Sequence, residues 1–230
     1  MACGRFVLLE EIGRGASGRV HLGWDRSAHR HVAVKVPHAG STPRPPGVRH
    51  PHVLPHELHD GLVVMPLVRG GSLLDLCAQE GRLPEAYVAC VLGQLLSALV
   101  AVHAAAVVHR DVKPANLLLE ATGAGRPHVW LTDFGDETTL GTTGYLPPER
   151  EAGAAAAAGQ DVYAAGVVAR RLLDRPGPLV TLACSMCRAE PALRPTAAQA
   201  LARLQELPVA RAERWPVVPD RLGPLPRRRR

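Results

Sequence analysis

At 230 residues the chain has room for one two-lobed domain or two small ones, and is long enough to bury a substantial core. Hydrophobic residues make up 47% of it but aromatic ones only 3%, so the core must be built from Ala, Val and Leu, a bias that also points to a GC-rich bacterial genome. The net charge of +6 gathers at one end: from Arg211 onward seven arginines stand against Glu213 and Asp220, a balance of +5, which argues against a broad basic face and leaves a tail with weak, salt-sensitive attraction to polyanions such as nucleic acid.

Five cysteines (Cys3, Cys77, Cys90, Cys184 and Cys187), an odd number with no secretory stretch ahead of them, argue against a disulfide framework and for a cytoplasmic setting. Cys184 and Cys187 have no second pair at matching spacing and read as part of an apolar helix face. The longest apolar stretch, 88–108, is interrupted by Gln94, Ser97 and His103, so no membrane span is expected.

In chain order, apolar or β-branched runs separated by glycine and charge predict strands at 6–9, 19–22, 31–36 and 62–65. From Ser72 the pattern turns helical. Pro84 and Glu85 open a helix whose apolar positions recur through Leu92, Leu95, Leu96, Leu99 and Val102, and further helices are expected at 161–173, 178–188 and 196–207. A strand-rich front and a helical back indicate an α+β arrangement in two lobes. Prolines and arginines over 208–230 predict a disordered tail.

Gly13, Gly15, Gly18 and Val20 form G-x-G-x-x-G-x-V between two predicted strands, where the missing side chains let backbone N–H groups approach phosphate; an ordinary glycine hairpin reads the same way. Lys35, in a strand of small apolar residues, would place an ammonium beneath that loop or stand as a plain exposed lysine. His109, Arg110, Asp111, Lys113 and Asn116 fall within eight residues, between a long helix and the apolar run Leu117, Leu118 and Leu119. Asp111 can accept the proton of an attacking hydroxyl, Lys113 can neutralise a transferring phosphate, and Asn116 offers an oxygen to Mg²⁺. Asp133, followed by Phe134 and Gly135, adds a hard carboxylate for the metal. Each fragment alone also reads as a cap, a turn or a polar loop; four in this order do not.

In that order the residues resemble the protein-kinase family, in its eukaryotic-like, bacterial serine/threonine branch, over about residues 4–207. The resemblance implies a small β-rich N-lobe over about 4–67, a helical C-lobe over about 69–207, and transfer of the ATP γ-phosphate to protein Ser or Thr hydroxyls, Lys113 being typical of that acceptor class. It implies ATP contacts at Ile12, Gly13, Gly15, Ser17, Gly18, Val20, Ala33, Lys35, Met65 and Val68, with Met65 as gatekeeper of the hinge. Asp111 and Lys113 would be catalytic, and Asn116 and Asp133 would hold Mg²⁺ or Mn²⁺. Glu149 would pair with Arg194, and Asp161 would anchor the catalytic loop from a buried helix. Arg110 would receive a phosphothreonine, for which Thr138, Thr139, Thr142 and Thr143 are the candidates. ATP and a protein substrate are the implied partners.

The chain departs from the family where a helix should carry a glutamate that pairs with the lysine. His50 follows Lys35 by 15 positions, Pro43, Pro45, Pro46 and Gly47 lie between them, and no carboxylate stands between Lys35 and Glu57. A helix of average length, about 11 residues, does not fit there, so that helix is expected to be reduced or absent, with Glu57 reaching Lys35 only from an unusual direction. The stretch from Asp133 to Glu149 is short, and only Asp174, Arg175, Pro176 and Gly177 stand where the family has a substrate-docking helix. An ATP-binding pseudokinase or regulatory scaffold is therefore the alternative. The histidines at 29, 31, 38, 50, 52, 56 and 59 form no ligand motif and read as solvated.

Overall fold

Alternation of side chains across a pleated strand organises the front of the chain. The computed structural model describes residues 2–15, 17–39, 47–135, 139, 141–173, 175–209 and 214–225. Strands β1 (Ala2–Cys3), β2 (Phe6–Gly15), β3 (Gly18–Asp25), β4 (Arg30–Pro37), β5 (Glu57–His59) and β6 (Leu62–Pro66) form one antiparallel sheet in the order β1-β2-β3-β4-β6-β5. On β4, Val32 and Val34 pack with Phe6, Leu62 and Val64 on one side of the sheet, while Ala33 joins Leu54, Val63 and Met65 on the other. β2 runs on past the expected Leu9 to Gly15 because β3 pairs with it down to Gly15↔Gly18. That hairpin lies so close to β4 that a Cβ on Gly18, at φ +152°, would strike the Val36 carbonyl oxygen, so glycine is required there by the sheet itself.

The rest is helical: α1 (Leu73–Glu80), α2 (Glu85–Ala104), α3 (Pro148–Glu151), α4 (Ala158–Leu172), α5 (Pro178–Met186) and α6 (Ala197–Glu206), with a ribbon of β7 (Leu117–Leu119) and β8 (Val129–Leu131). α1 and α6 start where Ser72 with Asp75, and Thr196 with Gln199, satisfy each other's backbone N–H groups in capping boxes. α2 is apolar around most of its circumference, with Val88, Leu92, Leu95, Leu96, Leu99 and Val102 buried, because α4, α6 and β8 all pack on it. By length and composition α2 could also cross a bilayer, but half of its apolar stretch is buried inside this fold. The lobes are stitched where the Leu131 N–H donates to the His52 carbonyl (2.8 Å) and the Leu54 N–H to the Leu131 carbonyl (2.9 Å).

Among the described residues no helix lies between β4 and β5, and none lies between α4 and α5; residues 40–46 fall outside the description. The expected tail behaves differently from its composition. Over 214–225 it lies against the helical lobe: Trp215 meets Tyr87 (ring centroids 5.8 Å), and Val218, 1% exposed, exchanges backbone hydrogen bonds of 2.8 and 3.0 Å with Gly123. Proline is excluded from a helix interior or a central ladder, but it permits an extended strip whose polar groups are satisfied one at a time, which composition does not register. The arginines at 227–230 lie outside the described residues.

Arg194, its side chain 1% exposed, donates to both oxygens of Glu149 on α3 (2.6 and 2.7 Å) and to the carbonyls of Arg188 (2.7 Å) and Ala189 (2.9 Å). The guanidinium holds the Glu149 carboxyl below the usual range. A lysine has one nitrogen and cannot span these acceptors, so Arg194→Lys should lower the urea unfolding free energy by about 2–4 kcal/mol. A loss of about 0.5 kcal/mol or less, the level of an ordinary surface substitution, would refute the anchoring role.

Candidate active site

The loop between α2 and β7 is held from below by one carboxylate. Asp161 on α4, 1% exposed, accepts the backbone N–H groups of His109 (2.8 Å) and Arg110 (2.9 Å) and faces His103 Nε2 on α2 at 2.9 Å. These bonds sustain Arg110 in the left-handed region, at φ +72°. His109 is fully buried. Its Nδ1 accepts the Asp111 N–H (3.2 Å), which places the ring proton on Nε2, and Nε2 donates to the Thr132 carbonyl (2.9 Å). Burial holds its pKa below the ordinary histidine value, and the Phe134 ring lies 4.4 Å from it. Two backbone bonds, Gly135 N–H to the His109 carbonyl (3.0 Å) and Thr132 N–H to the Asn116 carbonyl (3.1 Å), join this loop to residues 132–135.

At its centre the Thr142 hydroxyl donates to Asp111 Oδ1 (2.7 Å), while Lys113 Nζ donates to Asp111 Oδ2 (2.7 Å) and to Thr142 Oγ1 (2.7 Å). Asn116 Nδ2 donates to the Asp111 carbonyl (2.9 Å) and to Oδ2 (3.1 Å), which leaves its amide oxygen as an acceptor. An alcohol on a carboxylate, with an ammonium against the alcohol oxygen, is the geometry for deprotonating a hydroxyl and offsetting the charge that develops. Of the four candidate phosphosites, Thr142 has its hydroxyl engaged here and Thr143 is exposed. Thr139 is half-buried beside Gly135, its carbonyl accepting from Arg150 (2.9 Å), and Thr138 lies outside the described residues.

Lys35, buried on β4, places Nζ 2.7 Å from Asp133 Oδ1. Asp133 has φ +59°, a conformation most residues avoid. Glu57 does not reach the lysine: it stands exposed on β5 with Arg5 Nη1 at 3.4 Å. The lysine's counterion is thus the candidate metal ligand itself.

Ile12, Val20, Ala33, Met65 and Val68 come together in one apolar cluster between the sheet and the β7–β8 ribbon, along with Leu54, Val63, Leu67, Leu118 and Trp130. Leu118 was not singled out from the sequence, yet the signal was present: in a three-residue strand with Leu117 and Leu119 in the helical core, the middle residue must face the other way. The Thr132 hydroxyl points at Met65 Sδ (4.0 Å). Above the cluster, a Cβ on Gly15 would meet nothing within 4 Å, and one on Gly13 only Val20 Cβ at 3.8 Å, so the loop has open space beside these two positions; Ser17 is exposed.

Two of the histidines expected in solvent are held against the helical lobe. His52 bonds the Val129 carbonyl (3.0 Å) and packs against the tilted ring of His128 (4.7 Å), which meets Trp130 (4.7 Å), and His50 bonds Ser97 on α2 (3.0 Å). Among the described residues no group of three His, Cys, Asp or Glu could hold a metal. Burial pushes the pKa of His50, His52 and His109 down. The folded state therefore resists protons that the unfolded chain takes up near pH 6.5, so stability is full above about pH 6.5 and falls below it, by at most about 1.4 kcal/mol per pH unit for each histidine. Urea midpoints measured from pH 7.5 to 5.5 should show this decline, and a flat profile would rule it out.

Such a site on such a fold defines a protein kinase domain, and the chain belongs to that family, whose protein kinase domain matches residues 54–180. Within it the chain is related to bacterial serine/threonine-protein kinases. It is 33% identical to Pkn1 of Myxococcus xanthus over 203 residues, 74% of this chain and 29% of that protein. It is 30% identical to PknB of Mycobacterium leprae over 211 residues, 76% and 33%. It is 34% identical to PknA of Corynebacterium glutamicum over 158 residues, 61% and 33%. The chain thus spans a third or less of these relatives. Its fold is that of the crystal structure of Rad53 1–466 in complex with AMP-PNP, at a TM-score of 0.74 and 23% identity, covering 86% of this chain and 64% of that one.

Proposed function

We propose that the chain is a serine/threonine protein kinase that moves the γ-phosphoryl group of ATP onto a protein hydroxyl, with an N-lobe in which the lysine-bracing helix is reduced or absent. The observation that carries this reading is the Asp111–Lys113–Thr142 triangle, in which the carboxylate already accepts an alcohol proton. Asp111 Oδ1 has a second lone pair for an incoming Ser or Thr hydroxyl, and Lys113 keeps positive charge beside the reacting oxygen. The apolar cluster that includes Ala33, Met65, Val68 and Leu118 suits a flat base, and the room beside Gly13 and Gly15 suits phosphates approached by backbone N–H groups.

The donor set fits a hard dication: the Asn116 amide oxygen accepts no hydrogen bond from the described residues, and the Asp133 carboxylate belongs to the residue that follows Thr132, whose N–H is bonded to the Asn116 carbonyl. When bound there, Mg²⁺ would neutralise phosphate charge. Lys35 would then turn from Asp133 to the phosphate oxygens.

With radiolabelled ATP, Mg²⁺ and a generic protein acceptor, Asp111→Asn should lower incorporation by about 10²–10⁴-fold while nucleotide binding persists. Glu57→Gln should stay within about twofold of the parent, since among the described residues that carboxylate meets Arg5 in an exposed pair and does not reach Lys35. A second reading, an ATP-binding pseudokinase or scaffold, is favoured by the absence of any carboxylate between Lys35 and Glu57. Incorporation by the parent no higher than that of Asp111→Asn, with ATP bound, would establish it in place of the first.

A further inference from the structure

Leaving β6, the chain passes through Leu67, Val68, Arg69, Gly70 and Gly71 before Ser72 caps α1. Glycine pairs give a linker the greatest backbone freedom, yet this one is gripped by residues from the far end of the sequence. The Arg221 N–H donates to the Arg69 carbonyl (2.9 Å), and the Arg69 guanidinium meets the Asp220 carboxylate (2.7 Å) and the Gly223 carbonyl. A Cβ on Gly70 would fall 2.6 Å from Val218 Cγ1, and one on Gly71, at φ +78°, 2.6 Å from Arg221 Cδ. The gripping segment is itself anchored: Val218 is bonded to Gly123, Arg221 reaches Gln79 on α1 (2.7 Å), and Asp220 caps the N–H groups of Leu222 (3.0 Å) and Gly223 (3.2 Å).

We propose that residues 214–225 form a strap that fixes the hinge, with Asp220 and Arg221 as positioning residues for the nucleotide site acting through Arg69. The inference rests on the kinase reading, because Leu67 and Val68, next to Arg69, belong to the apolar cluster assigned there to the base. With the strap in place, the face that receives the base is ordered before binding; without it, binding must bear the cost of ordering 67–71. Asp111, Lys113 and Asn116 sit on a different loop, held by Asp161, so the chemical step should be insensitive to the strap.

The test is Asp220→Asn combined with Arg221→Ala in the full chain; both side chains are partly or fully exposed, so the fold should persist, with the thermal midpoint as control. Amide hydrogen exchange at 67–71 should rise. The Kd of a fluorescent ADP analogue and the KM for ATP should both rise about fivefold, equivalent to about 1 kcal/mol, with kcat within about twofold of the parent. Gly71→Ala, pressing on Arg221 from the hinge side, should reproduce the pattern. Unchanged exchange at 67–71, increased exchange with an unchanged Kd, or a fall in kcat at constant KM would each overturn the proposal. Failure of the parent chain to bind any nucleotide would instead refute the kinase reading, and exchange at 67–71 would then decide alone whether the strap fixes the hinge.

Discussion

Everything at the site hangs from the buried carboxylate of Asp161. A fully desolvated acid is costly unless its lone pairs are filled, and here two backbone N–H groups from the loop at 109–110 and a ring nitrogen from α2 fill them. The arrangement works in both directions: the loop satisfies the acid, and the acid holds the loop in a conformation that Arg110 would otherwise avoid. From that fixed point the order spreads. The His109 ring ties the loop to Thr132, the Asn116 carbonyl ties it to the same residue's N–H, and Asp111, Lys113 and Thr142 settle into one hydrogen-bonded triangle.

The N-lobe is organised on a different basis. Its sheet holds itself together by alternation and by the tight approach of the β2–β3 hairpin to β4, and it sets Lys35 between Val20 and Val63 on its neighbouring strands. What it does not supply is a carboxylate of its own for that lysine. The counterion comes from across the interface, from Asp133, so an ion pair links the two halves at the point where phosphate, metal and lysine would meet. One acid is asked to serve two cations, which is the physical content of the choice between a working kinase and a nucleotide-binding scaffold.

Sequence made legible what is local or periodic. The strands and helices follow from alternation and helical spacing, and the residues from His109 to Asn116 declare their chemistry by type and order, because a short loop can bring groups together only if they are near in sequence. The pairing of Glu149 with Arg194 was accessible only through the family resemblance. Nothing in the sequence marked Thr142 as the hydroxyl on Asp111, the contact of His52 with His128, or the packing of 214–225, since these contacts join residues far apart in the chain that follow no period. The proline-rich stretch was misleading for a specific reason. Composition records the absence of helix and ladder potential, whereas one buried Val218 and a few single hydrogen bonds are enough to order an extended strip.

The span of the strap also has a consequence for how the molecule is made. Arg69 and Gly223 are 154 positions apart, yet loop-closure entropy grows only slowly with length, and the bonds of Val218 to Gly123 and of Leu119 to Gly71 already bring both ends to the same lobe. In a chain emerging from its N-terminus, the sheet, α2 and the loop held by Asp161 can all be assembled while the linker at 67–71 is still unbraced. The bracing that Asp220, Arg221 and Gly223 give the hinge therefore waits until those residues have been synthesised and have returned across the helical lobe.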